Sequence, residues 1–355
     1  MVTINWSQER GWYGASVKPY QPIALDPANL TLQYAQTIFE GLKVYRQPDG
    51  SVAAFRPEEN ARRFKASARR MAMPELPTRL FMKSVDALVA LDLPWVPQGE
   101  GQSLYLRPFM IADEAGLRVR PASSYLFVVI ASPTDKYFTG PVRPVSVWVS
   151  EEYVRAAPGG TGAAKTGANY AASLLGQAQA TENGCDQVVW LDAVERRWVE
   201  EMGAMNLYFV YRDGRLVTPA LSGALLPGIT RDSLLALALD LGGLVTEVAE
   251  ERVSVQQWRA DAESGALTEV FACGTAAGIT PVGEVRSASG SWRAGDVSEP
   301  MGPVTARLHA YLSGVQNGTI ADSRGWMRPL GVNGPPALSW PAADHTALLG
   351  RPLPY

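Results

Sequence analysis

Apolar and polar positions fall into short strand-like and helix-like runs along most of the chain. "LKVYR" (42–46) and "VAAFR" (52–56) flank "QPDGS", and Asp49-Gly50 between two such runs predicts a β-hairpin. "RPEENARRFKASARRMAMP" repeats apolar residues at helical spacing and stops before Pro74, which predicts a helix; "DALVALDLPWV" (86–96) predicts a second. "QSLYLRPFMIA" (102–112) and "SSYLFVVIAS" (123–132) read as strands, the latter apolar enough to be central. "PTDKYFTGPVRP" (133–144) is rich in Pro and Gly and reads as a connector, so a domain boundary is placed there.

The pattern resumes with the strand "VSVWVS" (145–150) and, after a Gly/Ala stretch, the helix "NYAASLLGQAQATENG" (169–184). "QVVWLD", "WVEEM" and "LYFVYRDGRLVTP" are strands with a second hairpin turn at Asp213-Gly214. "ITRDSLLALALDLGG" (229–243) is a helix closed by glycines, "LTEVFACGT" (267–275) a strand entering a turn, and "PVTARLHAYLSGVQNG" (303–318) a late helix. From about Gly331 the chain is Pro-rich without periodicity and reads as a loosely held tail.

Length and composition narrow the class. The 355 residues admit about two domains of ~150 residues. Hydrophobic residues at 46% and charged residues at 19% are ordinary for a protein with a real core. A net charge of -3 gives no reason to expect a nucleic-acid partner. There is no long apolar run and no basic, apolar N-terminal segment, so neither a membrane span nor a signal peptide is expected. Two cysteines, Cys185 and Cys273, and two histidines, His309 and His345, argue against a disulfide framework, a metal centre or a histidine triad. The expectation is a soluble cytoplasmic protein without a metal.

Candidate chemistry centres on "GGTGAAKTGANYAASL" (159–174), where small residues crowd Lys165 and Tyr170 follows. Three readings stand. Lys165 is solvated at a loop tip, the usual fate of lysine. Or the segment is a phosphate loop, although Ala164 occupies the final glycine position of that pattern. Or Lys165 is a Schiff-base lysine, whose amine must be neutral to react, with Gly162, Ala163, Ala164, Gly167 and Ala168 admitting a flat aromatic aldehyde. The third reading needs an acidic partner for a ring nitrogen and several donors for a phosphate. Glu201 in "EMGAMN" offers the acid, with Glu200 as competitor. "LPGITRD" places the N–H groups of Ile229 and Thr230 at a helix start, although Thr230 also reads as an ordinary N-cap. "CGTAAGITP" offers further N–H groups at Thr275 and Ala276, or a tight packing turn.

The chain resembles the branched-chain aminotransferases of the fold-type IV pyridoxal-phosphate enzymes (class-IV aminotransferases). The likeness runs from about residue 31 to residue 330. It rests on "FEGLKVYR", "RPEENARRF", "SLYLRP", "KTGANYAASL", "EMGAMN", "LPGITRDSL", "CGTAAGITPV" and "GPVTARLHAYLSGVQNG" in this order. It implies an α/β (α+β) fold with a small N-terminal α/β domain (1–134), an interdomain loop (135–143), a larger pseudo-barrel domain (144–330) and a Pro-rich tail (331–355), the site lying between the domains. Pyridoxal 5'-phosphate is the implied cofactor, held covalently by the catalytic Lys165. Tyr170 would meet its phenolic oxygen, and Glu201 its ring nitrogen, because the family pattern is Glu, any residue, Gly, then Asn three further on. Arg63, Ile229, Thr230 and Thr275 would bind its phosphate. Thr275 and Ala276 would take the substrate α-carboxylate, and Tyr34, Phe39, Gly41, Tyr105, Arg107 and Tyr137 would line the substrate pocket.

The implied reaction is ping-pong transamination between branched-chain L-amino acids and 2-oxoglutarate in a homodimer or larger homo-oligomer. D-amino-acid aminotransferases and aminodeoxychorismate lyases share the core elements and are the alternatives; a nucleotide-binding phosphate loop is the remote one. The redox Cys-x-x-Cys of some relatives is replaced by Ala277 and Thr280.

Overall fold

The computed structural model describes residues 1–99, 101–135, 143–240, 242–295 and 300–331. The chain divides into two compact units. The first takes Met1–Gln98, Ser103–Pro133 and the chain from Arg328 onward; the second takes Gly99–Gln102 and Thr134–Met327.

The first unit opens with a hairpin, β1 (Val2–Ser7) and β2 (Gly11–Val17), that the sequence reading missed. A short helix α1 (Leu30–Tyr34), then β3 (Thr37–Phe39), β4 (Leu42–Arg46) and β5 (Val52–Phe55) lead into α2 (Pro57–Arg70). The expected hairpin is present, with Val44 paired to Ala54. Proline at the first helical positions, Glu58 and Glu59 in the first turn and Arg69 and Arg70 in the last all favour α2. The second helix begins earlier than expected: α3 is Thr78–Leu91, and Leu93–Trp95 is a 3-10 turn because Pro94 cannot continue an α-helix. Two long strands follow, β6 (Ser103–Ala112) and β7 (Ser124–Thr134).

In β6 the period of two is clean. Leu104 and Leu106 are buried in a core with Phe64, Phe81 and Phe127, while Tyr105 and Arg107 share the opposite face.

In the second unit β8 (Val145–Ser150) precedes α4 (Gly167–Glu182), followed by β9 (Gln187–Leu191), β10 (Val199–Met202), β11 (Met205–Tyr211) and β12 (Arg215–Pro219). Then come α5 (Ile229–Ala238), β13 (Glu247–Glu251), α6 (Val255–Ser264), β14 (Leu267–Gly274), β15 (Gly278–Ser287), β16 (Gly290–Arg293) and α7 (Pro303–Asn317). α5 ends before the glycines expected to close it. The sheet order is β10-β9-β8-β15-β14-β11-β12-β13, and a further β10–β11 pairing closes its first six strands into a ring. That ring is the barrel implied by the resemblance. It is filled by Val147, Val189, Met202, Leu207, Phe209, Ala272 and their neighbours.

The last strand, β17 (Met327–Leu330), pairs with β5 at the edge of the first sheet, so residues 328–330, expected to close the large domain, belong to the first unit. Tyr137, most of the 135–143 loop, and the tail after Gly331 lie outside the described residues.

Candidate active site

The β10–β11 hairpin explains why Glu201 and Asn206 stand five apart. Gly203, with φ +57, and Ala204 make the turn, and Glu201 and Asn206 become cross-strand partners. Both side chains then work on one segment, residues 224–228. Glu201 Oε1 accepts from the Leu226 N–H at 2.5 Å, and Asn206 Nδ2 donates to the Leu226 carbonyl at 3.1 Å. That segment runs straight into α5. Its N-cap is Gly228, with no side-chain cap bond, so Thr230 is not the N-cap. An uncapped helix start of this kind leaves N–H donors and the positive end of the helix dipole for an anion. Ile229 and Thr230, the first two residues of α5, are buried there.

Glu201 is 2% exposed and forms an ion pair with Arg155, whose Nε lies 3.2 Å from Oε2. The contact is off the N–H axis, because the same Nε makes no directed hydrogen bond. Arg155 is aimed instead by its Nη2, which donates to the carbonyls of Gly162 and Ala224. These carbonyls account for part of the small-residue stretch. A Cβ on Gly162 would sit 2.2 Å from the Ala224 carbonyl oxygen. Gly162 is therefore small for backbone packing rather than for a ligand, and Ala163 is exposed.

Lys165 is neither a solvated loop tip nor part of a phosphate loop. Its Nζ donates to the Tyr170 hydroxyl at 2.7 Å. Lys165, Tyr170, Glu201, Arg155 and Leu226 line one cavity of about 310 Å³. A phosphate loop joins a strand directly to a helix, whereas here β8 ends at Ser150, well before α4 begins at Gly167. Asn169, which sequence reasoning passed over, ties the loop down through the Thr161 carbonyl at 2.8 Å and the Ala164 carbonyl at 2.9 Å.

Thr275 and Ala276 lie in the β14–β15 turn. β11 runs antiparallel to both β10 and β14, with Asn206 opposite both Glu201 and Cys273, so this turn is at the same end of the barrel as the Gly203–Ala204 turn. Cys273 is 1% exposed and its thiol is pushed far up by burial, which leaves it unreactive.

Glu200, the competing carboxylate, is also buried at 4% exposed, but it does not line the cavity. Its Oε1 accepts from Ser222 Oγ at 3.3 Å, its Oε2 has no partner, and burial pushes its pKa up to about 7.

The first unit gathers a second set of the expected residues. Arg107 lies over the Phe39 ring at 4.7 Å and donates from Nη2 to the Tyr105 hydroxyl at 3.0 Å. A Cβ on Gly41 would meet that hydroxyl at 2.0 Å, so glycine is required for Tyr105 to hold its place. Arg63 is buried on α2. Its Nε and Nη2 bond to Glu40 at 2.7 and 2.9 Å, a partner the sequence did not flag. Tyr34 is exposed at the end of α1 and donates to the Leu117 carbonyl at 2.6 Å.

The donor set fits pyridoxal 5'-phosphate. It has an amine held by a phenol, a buried carboxylate across the same cavity, and a buried helix start with no side-chain cap beside it. Among the described residues no group of His, Cys, Asp and Glu is arranged to hold a metal, and no helix is long and apolar enough to cross a membrane.

The model of the class-IV amino-transferases matches residues 37–285. The chain is 61% identical over 331 residues to a probable branched-chain-amino-acid aminotransferase of Streptomyces coelicolor, covering 93% of this chain and 90% of that one. The crystal structure of the Escherichia coli branched-chain amino acid aminotransferase superposes with a TM-score of 0.71 at 30% identity, covering 86% of this chain and 93% of that one. A bacterial branched-chain amino acid aminotransferase complexed with N-(5'-phosphopyridoxyl)-L-glutamate gives a TM-score of 0.69 at 27% identity, covering 92% of this chain and 98% of that one.

Proposed function

The chain belongs to the class-IV amino-transferases, and within them to the branched-chain-amino-acid aminotransferases; from that membership we infer that it moves an amino group between leucine, isoleucine or valine and 2-oxoglutarate. The observation that carries the reading is the 2.7 Å Lys165–Tyr170 contact in a cavity that Glu201 also lines. D-amino-acid aminotransferase and aminodeoxychorismate lyase activities give way to it, given the 61% identical relative.

When bound, pyridoxal 5'-phosphate supplies an aldehyde that condenses with amines and a ring that accepts the electron pair left when Cα loses its proton. The chain's residues do the rest. Lys165 Nζ holds the cofactor and, once released by the substrate amine, takes the Cα proton as general base. Tyr170 keeps that amine aimed. Glu201, held ionised beside Arg155, keeps a proton on the ring nitrogen. Ile229, Thr230, Thr275 and Arg63 serve the phosphate, with Arg63 oriented by Glu40. The N–H groups of Thr275 and Ala276 take the substrate α-carboxylate.

Substrate side chains meet Phe39, Gly41, Tyr34, Tyr105, Arg107 and Tyr137 in this reading. Among the described residues Arg107 pairs with no carboxylate, and its Nε is buried without a partner, which supports a role toward the distal carboxylate of glutamate. The L-glutamate adduct in the bacterial structure supports the same amino donor.

A homodimer or larger homo-oligomer, working in the cytoplasm, is part of the proposal. α4 leaves Leu174 and Leu175 67% and 59% exposed on the helix that carries Tyr170, an apolar surface that a second copy would cover. Light scattering tests the assembly. For the chemistry, borohydride reduction followed by peptide mapping should label Lys165, and single-turnover assays should show leucine, isoleucine and valine as donors. Label on another lysine, or no turnover with 2-oxoglutarate, would sink the reading.

A further inference from the structure

Strand β10 carries two carboxylates in succession, and both are inside the protein: Glu200 is 4% exposed and Glu201 2%. Successive strand residues face opposite sides. Glu201 lines the cavity and Glu200 turns toward Ser222. A single cation, Arg155, acts on both. It pairs with Glu201 at 3.2 Å, and its charge also favours ionisation of Glu200, whereas Glu201 and Asp192 oppose it. Two ionised carboxylates against one guanidinium would bury an uncompensated negative charge. One of them must hold a proton.

The hydrogen bonds decide which. Glu201 receives the Leu226 N–H and Arg155, both of which favour the ionised form. Glu200 receives one weak bond from Ser222 and leaves Oε2 buried without a partner.

We propose that Glu200 is a positioning residue that carries a proton, so that Arg155 and Glu201 stay a matched pair. The proposal rests on the reading in which Glu201 serves the ring nitrogen. Glu200 titrates at about 7, mainly because burial disfavours its charged form, so the proton is lost just above neutrality. Ionised Glu200 then competes for Arg155 and changes the field at Glu201.

Infrared titration of the cofactor-free protein tests the proton directly. A protonated-carboxyl carbonyl band should vanish with a midpoint near 7 and be missing in Glu200→Gln. In the holoenzyme the cofactor's visible absorption and kcat should shift with the same midpoint, and Glu200→Gln should flatten both profiles. Ser222→Ala removes the hydroxyl that favours ionisation, so the midpoint should move up; Ser222 is exposed, and this variant decides the matter even if Glu200→Gln folds poorly. A carbonyl band that persists in Glu200→Gln, or an unmoved midpoint in Ser222→Ala, overturns the proposal. Glu201→Gln separates the two readings. If it leaves the cofactor spectrum unchanged, the assignment of Glu201 falls. If it changes the spectrum while Glu200→Gln keeps the wild-type pH profile, the role of Glu200 alone falls.

Discussion

Each unit buries a glutamate against an arginine, and the two arrangements differ in how completely they are bonded. In the first unit Glu40 is fully buried and accepts from Arg63 twice, from Asn60 Nδ2 at 2.7 Å and from the Gly41 N–H at 3.2 Å. In the second, Glu201 accepts the Leu226 N–H and faces an off-axis arginine, and its neighbour Glu200 keeps an oxygen with no donor. A saturated pair resists change and fixes a loop. An under-bonded cluster retains capacity for a proton or a ligand. The same Glu–Arg pairing thus serves as scaffold in one place and as chemistry in the other.

Lys165→Ala gives the largest test of that contrast. Removing the general base should cut turnover ~10²–10⁴-fold. The urea midpoint should hardly move, because its neighbours Asn169 and Arg155 keep their own bonds to the loop. A large fall in stability would place Lys165 with the scaffold. The mirror experiment is Glu40→Ala, which strands the buried Arg63 and should cost about 3–5 kcal/mol of stability in a denaturant titration. An unchanged midpoint would break the comparison from the other side.

A smaller effect is expected in the pH dependence of unfolding. Burial raises Glu200 from 4.5 to about 7, so between those values the folded protein keeps a proton that the unfolded chain has released. Its contribution to stability is full below the unfolded pKa and is lost as pH rises through about 7, an amount of about 3 kcal/mol. Glu200→Gln should remove that slope, and a slope that survives would assign it to another group. The smallest effect concerns Arg107→Met. Losing one charge-assisted bond is worth about 1.5–3 kcal/mol. That loss should fall on the 2-oxoglutarate half-reaction and spare the leucine half, as single-turnover rates would show. Equal losses in both halves would mean that Arg107, like Arg63, is structural.

Much of the fold was legible because the signals are local. Asp49-Gly50 and Asp213-Gly214 mark hairpins, and Pro57 with its flanking charges marks α2. The N-terminal hairpin escaped because its turn, 8–10, carries none of the usual dipeptides. In the site, Lys165, Tyr170 and Glu201 could be named from motif spacing. Arg155 could not, since its partners are Gly162, Ala224 and Glu201, remote in sequence and joined only by the fold. Strand alternation separated Glu200 from Glu201 but gave Glu200 the wrong surroundings. Every residue of β10 and β11 is buried, so facing away from the cavity does not mean facing water.

The segment from Ala224 to Gly228 has one more consequence. Arg155 grips its first carbonyl, Glu201 and Asn206 grip Leu226 from either side, and Gly228 begins α5. In the proposed reading, Glu201 touches one end of the cofactor and α5 the other. Five residues of chain then act as a gauge block: they set the distance between ring nitrogen and phosphate, and a molecule of any other length meets one jaw or the other, never both.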